Sequence, residues 1–235
     1  MKPVLIFRHF ATEGPGHFAT YLDAQRIPWS VLKIDQGEAV PPDASDAAGL
    51  VFMGGPMSVN DPLPWIAQVC HLIRDAVARD VPVLGHCLGG QLMSKALGGQ
   101  VSMNPLSEIG WGDVQVEEES LASAWLRDEF TSFRAFHWHS ETFSLPVGAT
   151  RIMRSAACAN QGFAMGKHFA MQCHVEMTEQ LIDAWCKSGA REIKRKKGPA
   201  VQSVEEIRRE MPAQLAALHR VAEKIYRRWI TGLSH

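Results

Sequence analysis

The chain has 235 residues, of which 46% are hydrophobic and 21% charged, with a formal net charge of −1. This is ordinary globular usage, which excludes a disordered chain, a collagen-like repeat and a coiled-coil rod. The near-zero charge gives no general pull toward nucleic acid or an anionic membrane.

The first half reads as alternating strand and helix. Val4–Phe7 is a short buried strand, Phe18–Ile27 a helix stopped by Pro28, and Ser30–Ile34 a second strand. Gly49–Met53 is a third strand, closed by Gly54-Gly55-Pro56. From about Leu63 to Arg79, Ile66, Val69, Cys70, Ile73 and Val77 fall on one helical face. Val81–Gly85 is a fourth strand, and Leu88–Leu97 a short helix ended by Gly98-Gly99. Buried strands joined by helices predict an α/β fold: a mainly parallel central sheet covered by helices on both faces. In such sheets sites lie beyond the carboxyl ends of the strands, which points to the loops after Met53 and after Leu84.

The middle is strand-rich. Gly112–Glu117 alternates, Thr150–Arg154, Gly162–Met165 and His168–Gln172 read as strands, and Gly166-Lys167 reads as a hairpin turn. Near the C-terminus Ser203-Val204-Glu205-Glu206 is a capping box. Pro212 is expected to break that helix and open another, whose stripe is Leu215, Leu218, Val221, Ile225 and Trp229. The run Lys187, Arg191, Lys194, Arg195, Lys196 and Lys197 reads as a solvated helix end or loop. The competing reading, a docking patch for an acidic partner or nucleic acid, lacks the interleaved aromatic residues that base stacking needs.

The five cysteines are odd in number and show no CxxC pair, so neither a disulfide framework nor a structural zinc site is expected. No apolar run approaches the roughly 18 residues of a membrane span, and the N-terminal apolar stretch is too short for a signal peptide. The expectation is a soluble, cytoplasmic protein with reduced thiols.

One thiol stands apart. In Gly85-His86-Cys87-Leu88-Gly89 the cysteine lies between an apolar strand and a helix, with glycine two residues to each side. Those glycines allow a sharp turn without Cβ clashes, which puts Cys87 at the apex. A helix N-terminus favours thiolate over thiol, and the Leu88 N–H faces the same point as an oxyanion donor. A nucleophile of this kind needs a proton donor for its leaving group. His174 and Glu176, two apart at a strand end, project to one side, so the carboxylate can fix the imidazole tautomer. A second oxyanion donor is expected from the loop after Met53, where Gly54-Gly55-Pro56 lets the backbone approach a substrate.

These segments, in this order, resemble the class I glutamine amidotransferases. Gly85–Gln91 resembles their Gly-x-Cys-x-Gly-x-Gln signature, Gly54-Gly55-Pro56 their oxyanion loop, and Gln172-Cys173-His174-Val175-Glu176 their Gln-aromatic-His-Pro-Glu segment, with Cys173 and Val175 as departures. His137–Phe143 and Ala157–Phe163 are similar to segments of the stand-alone members that look like the amidotransferase part of GMP synthase. The resemblance implies a flavodoxin-like domain over residues 1–190, with a helical C-terminal extension, 191–235, packed on it. It implies Cys87 as nucleophile, His174 as general acid/base and Glu176 as its orienting carboxylate. Gly55 and Leu88 would form the oxyanion hole, and Gln91, His139 and Ser140 would bind glutamine. No metal and no cofactor is implied, and an acceptor enzyme for the ammonia would be a separate synthetase chain. Two other readings stay open: a γ-glutamyl peptide or amide hydrolase on the same scaffold, and an inactive regulatory or binding subunit.

Overall fold

A computed structural model describes residues 2–118 and 120–233. Along the chain run β1 (Val4–Arg8), α1 (Gly16–Ala24), β2 (Trp29–Lys33), β3 (Gly49–Phe52), α2 (Pro64–Ala78), β4 (Val83–His86) and α3 (Leu88–Ala96). The long β5 (Val101–Val116) comes next, then α4 (Ser120–Ala122) continued by a π-helical turn over Ser123–Arg127. The remainder is β6 (Ser132–Phe143), β7 (Thr150–Ser155), β8 (Gly162–Met165), β9 (His168–Met171), α5 (Glu179–Ser188), α6 (Ala190–Arg195) and α7 (Val204–Ile230).

Among the described residues the strands form one nine-stranded sheet in the order β2-β1-β3-β4-β9-β8-β7-β5-β6. The expected α/β architecture is present. The part from β2 to β9 is parallel, and from β9 onward every pairing is antiparallel. Strand alternation divides the core in two. Val4, Ile6, Val51 and Leu84 face α1, α5 and α7, whereas Phe7, Leu50, Phe52 and Val83 face α2 and α3. β3 and β4 are buried along their whole length, because both faces are covered and both neighbours are strands. No helix among the described residues is long and apolar enough to cross a membrane.

The structure departs from the sequence reading in three places. β5 begins at Val101, not near Gly112, and pairs along nearly its full length with β6, a strand the alternation did not disclose. The stretch before the basic run, in which no element is read from the sequence, forms most of α5, and the run 187–197, read as a solvated helix end or loop, spans the end of α5 and α6; Thr178 caps α5, its side chain accepting from the Leu181 N–H. And Pro212 does not break the C-terminal helix, since α7 is continuous from Val204 to Ile230. Pro212 is exposed, so water can satisfy the carbonyl one turn earlier. Buried Met211 and Leu218 on either side keep the helix on the sheet. The expected capping box is present, with Ser203 accepting from the Glu206 N–H and the Glu206 carboxylate accepting from the Ser203 N–H.

The end of α7 is clamped on β3. Trp229 is fully buried, its ring centroid 5.8 Å from that of Phe18, and a Cβ on Gly49 would lie 2.7 Å from the indole. Trp229→Ala is therefore expected to destabilise the chain by about 3–5 kcal/mol in a chemical-denaturation experiment.

Candidate active site

β4 and β9 are neighbouring parallel strands with His86 opposite Met171, so the segments leaving their carboxyl ends emerge side by side. The Cys87 N–H donates to the Met171 carbonyl at 2.8 Å, which extends that pairing to the turn itself. Cys87 then adopts φ +49° and ψ −106°, a conformation that is strained for a residue bearing a Cβ. The turn closes only because its flanks are bare. A Cβ on Gly85 would lie 2.6 Å from the Gly89 backbone, and one on Gly89 would lie 2.0 Å from the Phe52 carbonyl oxygen. Leu88 opens α3, so its N–H has no partner within the helix. A Cβ on Gly55 would lie 2.8 Å from the Leu88 side chain, which makes these two residues direct neighbours.

His174 is fixed from both sides. Its N–H donates to the Phe136 carbonyl of β6 at 2.8 Å, and its ring meets Trp185 edge-on, with centroids 4.7 Å apart. Nδ1 donates to Glu176 Oε1 at 2.7 Å. Burial pulls the His174 pKa down, but the Glu176 charge, then the charge on the Cys87 sulfur, and the hydrogen bond that the ring donates to Glu176 carry it well above the ordinary value. Burial pushes the Glu176 carboxyl up, yet the His174 charge, then His86, hold it at about 2. The Glu176 carbonyl accepts from the His17 N–H at 2.8 Å, and Gly16, with φ +49°, lies so close that a Cβ would collide with that oxygen.

The three candidate residues thus come together at the ends of β4 and β9, beside a cavity of about 440 Å³ lined by Cys87, His174, Gly55, Gln91, Trp138 and Ser140 among others. The expected substrate-binding residues are less uniformly placed. Gln91 lines the cavity, but its Nε2 donates to Gln172 Oε1 at 3.1 Å. His139 lines the cavity, but its ring is held by the sheet, with Nε2 3.0 Å from Glu108 Oε2. The Ser140 hydroxyl pairs with that of Ser107 at 2.9 Å. His86 points beneath the site, with Nε2 3.8 Å from Glu176 Oε2.

Several residues at the site were not singled out from the sequence. Gln172 Nε2 donates to Cys87 Sγ at 3.4 Å; its offset of two from His174 could have marked it as facing the same way. The Trp138 carbonyl lies 4.0 Å from that sulfur. Glu13 comes from the loop between β1 and α1, and a Cβ on Gly54 would meet its Oε2 at 2.5 Å and His174 Cε1 at 3.1 Å. Glu108, His137 and His139 form the one group among the described residues whose ligand atoms converge enough to hold a metal, all within 4.8 Å of one another. Glu108 already accepts hydrogen bonds there from Ser155 and Gln161, so the group is knit as a polar network that anchors β6. Burial lowers the His137 pKa to about 4, which keeps that ring neutral.

A family model described as "Glutamine amidotransferase class-I" matches residues 17–185. The chain is 29% identical over 207 residues to a glutamine amidotransferase-like protein of Salmonella typhimurium, YfeJ, covering 85% of this chain and 87% of that one. It is 30% identical over 157 residues to one subunit of the glutamine-hydrolysing GMP synthase of Sulfolobus acidocaldarius, covering 63% of this chain and 80% of the relative. Full-length GMP synthases are matched over a small part only, 28% of the length for that of Aeropyrum pernix. Among solved structures, a glutamine amidotransferase of Methylobacillus flagellatus superposes with a TM-score of 0.97 at 44% identity, covering 100% of this chain and 96% of that one.

Glu13 gives the site a titration that can be measured without any substrate. Burial pushes its carboxyl from the ordinary 4.5 up to about 7; the His174 charge opposes this and Glu176 adds to it. A raised carboxyl pKa means that the folded chain holds the proton more tightly than the unfolded one. Its contribution to stability is therefore lost as pH rises from 4.5 through about 7. The isosteric Glu13→Gln variant is expected to gain about 1–3 kcal/mol over the parent at pH 8 and little at pH 5, read from urea unfolding. A gain equal at both pH values would show that the carboxyl does not titrate in this range.

Proposed function

The chain belongs to the class I glutamine amidotransferase family, and from that premise we propose that it hydrolyses the side-chain amide of glutamine through a thioester on Cys87, yielding glutamate and ammonia. The observation that carries this reading is the strained Cys87 turn beside a buried His174–Glu176 pair joined at 2.7 Å. In the proposed sequence the Cys87 thiolate attacks the amide carbon. The oxyanion is held by the Gly55 and Leu88 N–H groups, each such donor being worth about 2.7–4 kcal/mol of barrier. Protonated His174 delivers its Nε2 proton to the departing nitrogen, which leaves as ammonia. A γ-glutamyl thioester remains; His174 then takes a proton from water, which attacks the thioester and releases glutamate. Glu176 keeps the imidazole in the tautomer that this exchange requires. The chemistry calls for no metal and no organic cofactor.

The ammonia is then passed to a separate acceptor enzyme in this proposal. The similarity to the Sulfolobus GMP synthase chain, which is named as one subunit of a larger enzyme, favours such a partner. The five unpaired cysteines suit a reducing, cytoplasmic setting. A second reading, hydrolysis of larger γ-glutamyl amides, is favoured by the cavity volume of about 440 Å³, which lies in the range of pockets that enclose drug-sized ligands.

Purified chain is expected to release glutamate from glutamine, and Cys87→Ala to lower that rate by roughly a thousandfold or more. Glu176→Gln should lower kcat by roughly 10²- to 10⁴-fold through the wrong imidazole tautomer, with KM little changed. Release that survives in the Cys87→Ala chain would refute the thioester route. Faster turnover of γ-glutamyl anilides than of glutamine would favour the second reading.

A further inference from the structure

The basic run 187–197 does not behave as one solvated face. Lys187, Arg191, Lys194, Arg195 and Lys197 are exposed, but Lys196 turns inward and lines the cavity of the candidate active site. Among the described residues it is the one lysine or arginine that does so.

Its position is fixed through Trp138. A Cβ on Gly189, between α5 and α6, would lie 2.2 Å from Trp138 Cζ2, so only a bare backbone lets the chain come flush with that indole. Trp138 Nε1 then donates to Glu192 Oε2 at 3.0 Å. Trp138 is also the residue whose carbonyl lies 4.0 Å from Cys87 Sγ, so α6 is indexed to the reacting sulfur. Lys196 follows α6 directly, with Nζ 3.3 Å from Glu192 Oε1 and donating to Ser140 Oγ. An ammonium has three donors, and these two partners leave one for a ligand.

A γ-glutamyl substrate whose amide carbon lies at Cys87 carries an α-carboxylate and an α-ammonium at its other end. Glu141, held through its Oε1 by the Ser58 hydroxyl at 3.0 Å, lines the same cavity and can pair with the ammonium. The carboxylate needs a cation, and the cavity offers Lys196. We propose that Lys196 binds the α-carboxylate of the substrate, and so restricts this site to γ-glutamyl amides with a free α-carboxylate, glutamine included, against α-amidated glutamine or glutamine inside a peptide. The inference rests on the hydrolysis proposed above. It adds a specificity-determining residue that lies outside the matched span 17–185.

The test is isothermal titration of the full chain carrying Cys87→Ala, with L-glutamine and with its α-carboxamide, glutaminamide. Adding Lys196→Met is expected to weaken glutamine binding roughly 10- to 100-fold and to change glutaminamide binding by less than about twofold, whereas Lys196→Arg keeps most of the glutamine affinity. Equal glutamine affinity with and without Lys196, or glutaminamide bound as tightly as glutamine by the Cys87→Ala chain, overturns the assignment and leaves the proposed hydrolysis standing. Weakening of both ligands alike by Lys196→Met marks a merely structural role and also overturns it. Binding of neither glutamine nor γ-glutamyl p-nitroanilide to the Cys87→Ala chain takes down the hydrolysis reading and this inference with it.

Discussion

Parallel pairing of β4 with β9 puts two chain segments, far apart in sequence, at one rim of the sheet. The register is set by buried side chains on both faces: a shift of one residue would turn Leu84 and Phe169 out of the core that they share. The Cys87 N–H continues the ladder onto Met171, so the sulfur's height above the rim is fixed by a backbone hydrogen bond. Everything chemical depends on that. Gln172 reaches the sulfur because it is the first residue beyond β9, and His174 reaches the same space after a bend at Gln172 and Cys173, its N–H held by the Phe136 carbonyl.

The pair His174–Glu176 then raises an energetic problem, since both side chains are buried in the apolar layer that also holds Trp185 and Met177. Removing an ion pair from water has a large desolvation cost, which attraction and hydrogen bonding must offset. The structure meets it with a short hydrogen bond at 2.7 Å; the other carboxylate oxygen has no hydrogen-bond partner among the described residues, and the His86 imidazole lies 3.8 Å from it. Tyr226 of α7 lies 3.5 Å from His86. The C-terminal helix therefore packs beneath the His174–Glu176 pair as well as on the core.

Much of this was legible from the residues alone. The elements from β1 to α3 follow from apolar runs and one-face periodicity, and the Cys87 turn from two glycines, because each is a local demand. The hidden features are non-local. The β6 strand carries His137 and His139 inward to a polar network with Glu108 of β5, so its buried face does not read as apolar. Pro212 looked like a stop because its exposure in the fold, which makes it tolerable, is not a property of the sequence. Glu13 and Lys196 reach the cavity from loops whose course is set by other elements, and no spacing relates either of them to Cys87.

The placement of these late-arriving residues has a logic of its own. Cys87, Leu88 and His174 lie just beyond β4 and β9 or at the start of α3, where backbone hydrogen bonds to Met171 and Phe136 fix the chain, as the proposed chemistry requires. Of the charged residues lining the cavity, Glu13 comes from the β1–α1 loop, Glu192 from the short α6 and Lys196 from the position that follows it. Those segments can change length or sequence without disturbing the register of β4 and β9. The fold thereby separates Cys87 and His174, which are tied to the sheet, from Lys196, which in the proposed reading meets the far end of the substrate. Of the two, the second lies where a scaffold of this kind can most easily be altered to accept a different γ-glutamyl compound.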